Sequence, residues 1–204
     1  MKRFFVLLIV AFLGASAHAD TPVILVFGDS LSAGFGLAHP DKGWVGMLRA
    51  KLKDQGYVYQ VVNASVSGET TAGGLARLPR ALALHQPHVV IIELGGNDGL
   101  RALPIDQLRE NLAQMVDLSM SAGARVLLLG MRIPPNYGPE YTEKFFASFT
   151  TVAHQKKVPV VPFLLNEIAL SPNLMQADGI HPNELGQPQL VANVWPTLAP
   201  LLTK

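Results

Sequence analysis

Apolar residues in this chain follow two alternating patterns. Short continuous runs, such as Val23-Ile24-Leu25-Val26-Phe27 and Val89-Val90-Ile91-Ile92, have the composition of strands buried on both faces. Between them, apolar positions recur every three or four residues, the mark of a helix with one buried stripe. Trp44 to Gln55 carries Val45, Leu48 and Leu52 at that spacing and stops before Gly56; Tyr57 to Val62 then reads as a strand. Thr71 to Leu84 predicts a helix broken or distorted near Pro79. His88 to Leu94 is the next strand, and Pro104 to Ser121 a helix burying Ile105, Leu108, Leu112, Met115 and Val116. Arg125 to Gly130 is a further apolar run, followed by a proline-rich loop from Met131 to Pro139. Glu140 to Lys156 reads as helix and Val158 to Phe163 as a last short strand. Pro182 to Leu202 reads as a closing helix, kinked or divided by Pro188 and Pro196.

Apolar strands separated by amphipathic helices predict a parallel sheet covered on both faces, with right-handed crossovers. The fold class is therefore a small three-layer α/β domain. Ligands in such folds bind at the carboxyl ends of the strands, near the switch in strand order. The loops beginning at Gly28, Asn63, Gly95 and Gly130 are where chemistry is expected.

The amino terminus changes the domain boundaries. Lys2 and Arg3 precede an apolar stretch, Phe4 to Leu13, and Ala17-His18-Ala19 offers a small-residue cleavage site. Residues 1–19 thus read as a cleaved signal peptide, with 20–204 as one domain, periplasmic or secreted. A run of about ten residues is too short to span a bilayer, which needs roughly twenty. No integral membrane segment is expected after processing. The full chain carries a net charge of +1, and removing Lys2 and Arg3 leaves −1. That balance offers no electrostatic footprint for nucleic acid. The chain has no cysteine, which excludes disulfides, a thiol nucleophile and thiolate metal sites.

The strand-end loops collect the polar residues: Gly28-Asp29-Ser30, Asn63 to Thr70, Gly95-Gly96-Asn97-Asp98, and, near the carboxyl terminus, Asp178-Gly179-Ile180-His181-Pro182. Acyl transfer needs a nucleophile, a base, a group that orients the base, and donors for an oxyanion. Ser30, His181, Asp178, the Gly68 amide and the Asn97 side chain supply that set. Taken alone, Ser30 reads equally as the cap of a following helix. Asp29 reads as a turn or cap residue, Glu93 as a structural acid in an apolar strand with a shifted pKa, and Asp98 as shaping the loop of Asn97. His85 and His88 have a metal-like spacing, but Pro87 between them breaks a helix and no third ligand is near, so no metal site is expected. His39 and His154 are expected at the surface. Gly34-Phe35-Gly36 lacks the third glycine of a dinucleotide fingerprint.

The blocks Gly28-Asp29-Ser30-Leu31-Ser32, Gly68, Gly95-Gly96-Asn97-Asp98 and Asp178-Gly179-Ile180-His181-Pro182 occur in that order. Together they resemble the SGNH (GDSL) hydrolase superfamily from about Val23 to Leu202. Val62-Asn63-Ala64-Ser65, Glu93 to Arg101 and Pro134-Pro135-Asn136-Tyr137-Gly138 narrow the resemblance to bacterial exported thioesterases, lysophospholipases and arylesterases. The resemblance implies a flavodoxin-like α/β/α sandwich whose five parallel strands run in the order 2-1-3-4-5. It implies Ser30 as nucleophile, His181 as base and Asp178 as its orienter. The oxyanion hole would be made by the Ser30 and Gly68 amides and the Asn97 side chain. No cofactor is implied.

Substrates expected on this reading are small-molecule acyl esters and thioesters, with the protein a monomer. The Met131–Tyr141 loop, through Ile133 and Tyr137, and the segment from Leu75 to Pro79 are expected to wall an acyl chain. A carbohydrate O-deacetylase and a non-catalytic acyl-chain carrier are the alternative readings.

Overall fold

The computed structural model describes residues 21–204. The predicted signal peptide and its cleavage site lie outside the described residues. A single five-stranded parallel sheet runs in the order β2-β1-β3-β4-β5. Its strands are β1 (Val23–Gly28), β2 (Gln60–Asn63), β3 (Val89–Glu93), β4 (Arg125–Leu129) and β5 (Val160–Val161). The helices are α1 (Ser30–Ala33), α2 (Trp44–Asp54), α3 (Thr71–His85), α4 (Gly96–Leu100), α5 (Ile105–Ser121), α6 (Pro139–Lys156) and α7 (Gln187–Leu198). α2 packs on α7, while α3 packs on α5 and α5 on α6. This gives the three layers that strands apolar throughout require. β1 from Ile24 and all of β3 are buried, because each lies between two strands and under helices on both faces.

Three proline expectations are corrected. α3 runs unbroken through Pro79, which is exposed on its outer side. A mid-helix proline costs about 3 kcal/mol, but Leu78, Ala81 and Leu82 bury the inner side of the same turns. Each fully buried leucine contributes roughly 1.5–3 kcal/mol, enough to hold the helix together. α7 begins later than expected because Pro188 sits in its first turn, where a missing N–H costs nothing. Pro196 lies within α7 without dividing it, and a short 3₁₀ turn, Ala199–Leu201, follows. The short helices α1 and α4 are too short to show a period; the alternative that a helix follows the serine turn holds for α1, though Ser30 opens it rather than capping it.

The chain goes from β1 outward to β2 and then crosses to β3 on the other side of β1. The switch point therefore lies between the carboxyl ends of β1 and β3, which are Gly28 and Glu93. The site is built there.

Candidate active site

α1 starts at once after β1, so the chain must turn sharply at Gly28-Asp29-Ser30. Gly28 is required: a Cβ at this position would overlap the Glu93 carboxylate. Asp29, not Ser30, caps α1, its Oδ1 accepting from the Leu31 N–H at 3.1 Å. The Ser30 hydroxyl is left for another partner, and His181 Nε2 stands 2.8 Å from Ser30 Oγ. On the far side of the ring, His181 Nδ1 is 2.7 Å from Asp178 Oδ2.

Asp178 and His181 occupy one tight turn, closed by Gly179 at φ +66°. Asp178 Oδ1 accepts from the N–H groups of Ile180 (2.9 Å) and His181 (3.0 Å). Burial raises the Asp178 pKa, but these backbone bonds and the imidazole outweigh it and bring the carboxyl down to about 2. Gln176 ties this turn to the serine loop, its Nε2 donating to the carbonyls of Phe35 (2.8 Å) and Pro182 (3.1 Å). The Phe35 ring lies 4.6 Å from the imidazole, between centroids.

The residues expected around an oxyanion come from two other loops. Gly68 sits after β2 with φ +79°, a conformation natural to glycine, and its carbonyl accepts from Arg101 Nη2 at 3.0 Å. Among the described residues neither the Ser30 nor the Gly68 N–H donates to another backbone group outside regular elements. Asn97 lies in α4, and its Nδ2 donates to Asp29 Oδ2 at 3.0 Å. Asp98 beside it accepts from Thr71 through the backbone N–H (2.8 Å) and the hydroxyl, fixing α4 to the start of α3.

Beneath this layer lies Glu93, fully buried at the end of β3. Its Oε2 accepts from Ser32 Oγ (2.6 Å) and the Asp29 N–H (3.2 Å), while Oε1 has no partner. Burial drives the Glu93 pKa well above its usual range, and the adjacent Asp29 carboxylate pushes the same way. Burial also raises Asp29, to about 6, against the hydrogen bonds it accepts from Leu31 and Asn97.

Next to the serine a cavity of about 1020 Å³ opens. Leu31 and Gly96, neighbours of Ser30 and Asn97, line one side, and Gly179 and Ile180 another. Its lining is mostly apolar, with Met131, Ile133, Phe146, Phe163, Leu165 and Leu170, but Glu143, Glu167 and Arg132 also reach it, the Arg132 guanidinium lying 3.7 Å over the Phe146 ring. Of the residues expected to contact an acyl chain, Ile133 lines this cavity. Leu75 instead packs against the core, Pro79 is exposed on α3, and Tyr137 donates its hydroxyl to the Leu100 carbonyl at 2.7 Å. The segment after β5, with Leu165 and Leu170, was missed as a wall. Its one sequence signal was apolar residues without period past the last strand, and Leu170 is 97% exposed. His88, considered for metal, accepts from the Val23 N–H through Nδ1 at 3.3 Å, and His39 and His154 are exposed.

The GDSL-like lipase/acylhydrolase family matches residues 26–188. The chain belongs to this family. Among its GDSL relatives it is similar to the esterase TesA of Pseudomonas aeruginosa, with 54% identity over 91% of this chain and 92% of the relative. It is also 43% identical to thioesterase 1/protease 1/lysophospholipase L1 of Escherichia coli K12, over 92% of this chain and 87% of that one. A crystal structure of TesA superposes with a TM-score of 0.86 at 54% identity, covering 88% of this chain and 99% of the other. The GDSL enzyme fold and its strand order are thus those that the resemblance implies.

Proposed function

We propose that the protein is an exported serine esterase and thioesterase that cleaves acyl esters, acyl thioesters and aryl esters through an acyl-enzyme. The observation that carries this is the unbroken relay Asp178–His181–Ser30 beside a mostly apolar cavity. Ser30 attacks the carbonyl carbon while His181 Nε2 takes its proton. The oxyanion is received by the Ser30 and Gly68 amides and the Asn97 side chain. His181 then protonates the leaving alcohol or thiol, and water repeats the sequence to release the acid. No step needs a cofactor. The names of the relatives, an esterase and a thioesterase/lysophospholipase, support the substrate classes.

The test is hydrolysis of p-nitrophenyl esters from acetyl to palmitoyl by the purified protein, with Ser30→Ala as the blank. Turnover should peak above acetyl, since the cavity lining is mostly apolar. Ile133→Ala should shift the preferred chain length, because Ile133 lines the cavity, whereas Tyr137→Phe should alter all lengths alike. Activity confined to acetyl would favour a sugar deacetylase, and activity equal to the blank on every ester would leave only a carrier.

Export is the second part of the proposal. Among the described residues no helix is long and apolar enough to cross a membrane. The segment 1–19 is read as a leader, so the protein recovered outside the cytoplasm should begin at Asp20. Intact mass and amino-terminal sequencing check this, and a full-length exported chain would refute cleavage.

A further inference from the structure

Two carboxyl groups lie one beneath the other under the serine turn, and the mechanism above uses neither. Asp29 is 2% exposed and Glu93 is 0% exposed. No ion pair among the described residues involves either of them. Two adjacent buried carboxylates without a cation cannot both be ionised at modest cost. Glu93 is the deeper of the two and accepts two hydrogen bonds, both on Oε2, so it is the one that holds a proton. Asp29 has donors on both oxygens, the Leu31 N–H on Oδ1 and the Asn97 amide on Oδ2, and so carries the charge.

The bond to Asn97 has a consequence for the amide. A carboxylate oxygen only accepts, so it selects the nitrogen end of the Asn97 side chain and turns the carbonyl end away. The second N–H of that nitrogen is then free for the oxyanion. With the amide reversed, Asn97 would present an oxygen to the developing negative charge.

We propose that Glu93 and Asp29 form a positioning pair for Asn97: Glu93 holds the Asp29 backbone from below, and the Asp29 side chain fixes which end of the Asn97 amide faces the substrate oxygen. The pair touches no substrate and acts only through Asn97. Other groups facing it are Ser32 on α1, which donates to Glu93, and His181, whose charge when protonated favours ionised Asp29. The proposal rests on the hydrolase reading.

A double-mutant cycle tests the Asp29 half. Asp29→Asn has a similar shape but offers one acceptor to two donors, so either the α1 cap or the Asn97 bond is lost. In the wild-type background it should lower kcat on a p-nitrophenyl ester by about 10- to 100-fold, with KM little changed. Removing the donor outright, as Asn97→Ala, should cost on the order of 10²–10³ in kcat. Combined with Asn97→Ala, Asp29→Asn should cost less than about threefold more. Additive losses in an active wild type overturn the positioning role alone, whereas a wild type inactive on every ester overturns the hydrolase reading.

Thermal unfolding, together with kcat, tests the Glu93 half. The raised pKa of Glu93 means that the folded protein keeps a proton that the unfolded chain releases above about pH 4.5. Stability therefore falls as pH rises from there towards the folded pKa. Glu93→Gln, which stays neutral, lacks this loss, so its Tm relative to wild type should climb between pH 5 and pH 8. It should also keep most of the kcat that Glu93→Leu loses. A Tm difference independent of pH, or a kcat in Glu93→Gln as low as in Glu93→Leu, would overturn the assignment of Glu93 as the neutral partner.

Discussion

Ser30→Ala is expected to lower kcat on esters and thioesters by about 10⁶-fold while leaving the thermal midpoint nearly unchanged. The two halves of this result have separate causes. The catalytic loss follows because among the described residues no other hydroxyl stands against His181 Nε2. The preserved stability follows because Ser30 is not the cap of α1; Asp29 is. Were Ser30 a capping residue, alanine would instead cost about 1 kcal/mol of stability and leave turnover alone. His181→Ala should cause a similar catalytic loss, and the double variant should be scarcely worse than either single one, because the two residues act as a unit. Residual turnover of about 10³–10⁴ over water would come from substrate binding and the oxyanion donors. A fluorophosphonate should phosphonylate Ser30 with loss of HF, adding the mass of the reagent less HF to the wild-type protein and nothing to Ser30→Ala. Turnover surviving in Ser30→Ala would remove the acyl-enzyme from the scheme.

Which parts of this arrangement could be read from the sequence follows from the range of the interactions involved. β1 and β3 were legible because a strand buried on both faces must be apolar at every position, and Val23 to Phe27 and Val89 to Ile92 are. α5 was legible because Leu108, Leu112, Met115 and Val116 keep their period over a long helix. Pro79 and Pro196 misled, because a local rule was read without the burial that outweighs it. The chemical groups were visible as short polar blocks at strand ends. The Asp29–Asn97 bond, which spans 68 positions, was not, and the pairing of Ser30 with His181 across 151 positions came only from the blocks taken together and the family they resemble. No periodicity carries information over such distances. The same holds for the cavity: Ile133 was within reach from the loop beside β4, but Leu165 and Leu170 arrive from beyond β5.

Asp178→Asn should cost about 10⁴ in kcat, more than its distance from the reacting carbon suggests. Asp178 accepts on both oxygens: Oδ1 accepts from two backbone N–H groups of its own turn, and Oδ2 accepts from the N–H at His181 Nδ1. An amide keeps one acceptor. The backbone N–H groups are fixed by the turn and claim it, leaving an NH₂ facing Nδ1. Nδ1 must then be the unprotonated nitrogen, and the proton moves to Nε2, which can no longer accept from Ser30. The loss is thus one of tautomer, and it should appear in kcat with little change in KM. The pH behaviour separates this from a loss of charge alone. With its pKa held at about 2, Asp178 is ionised wherever the protein is folded near neutrality, so an acid limb in kcat/KM well above pH 3 belongs to another group. Its depressed pKa also adds stability that is present above its ordinary value of 3.8 and is lost as pH falls through about 2. The Asn variant should therefore unfold more easily than wild type at neutral pH, with the gap closing in strong acid. A variant that keeps wild-type kcat within tenfold would show that His181 finds its tautomer without Asp178, and the Asp–His–Ser relay would reduce to a His–Ser pair.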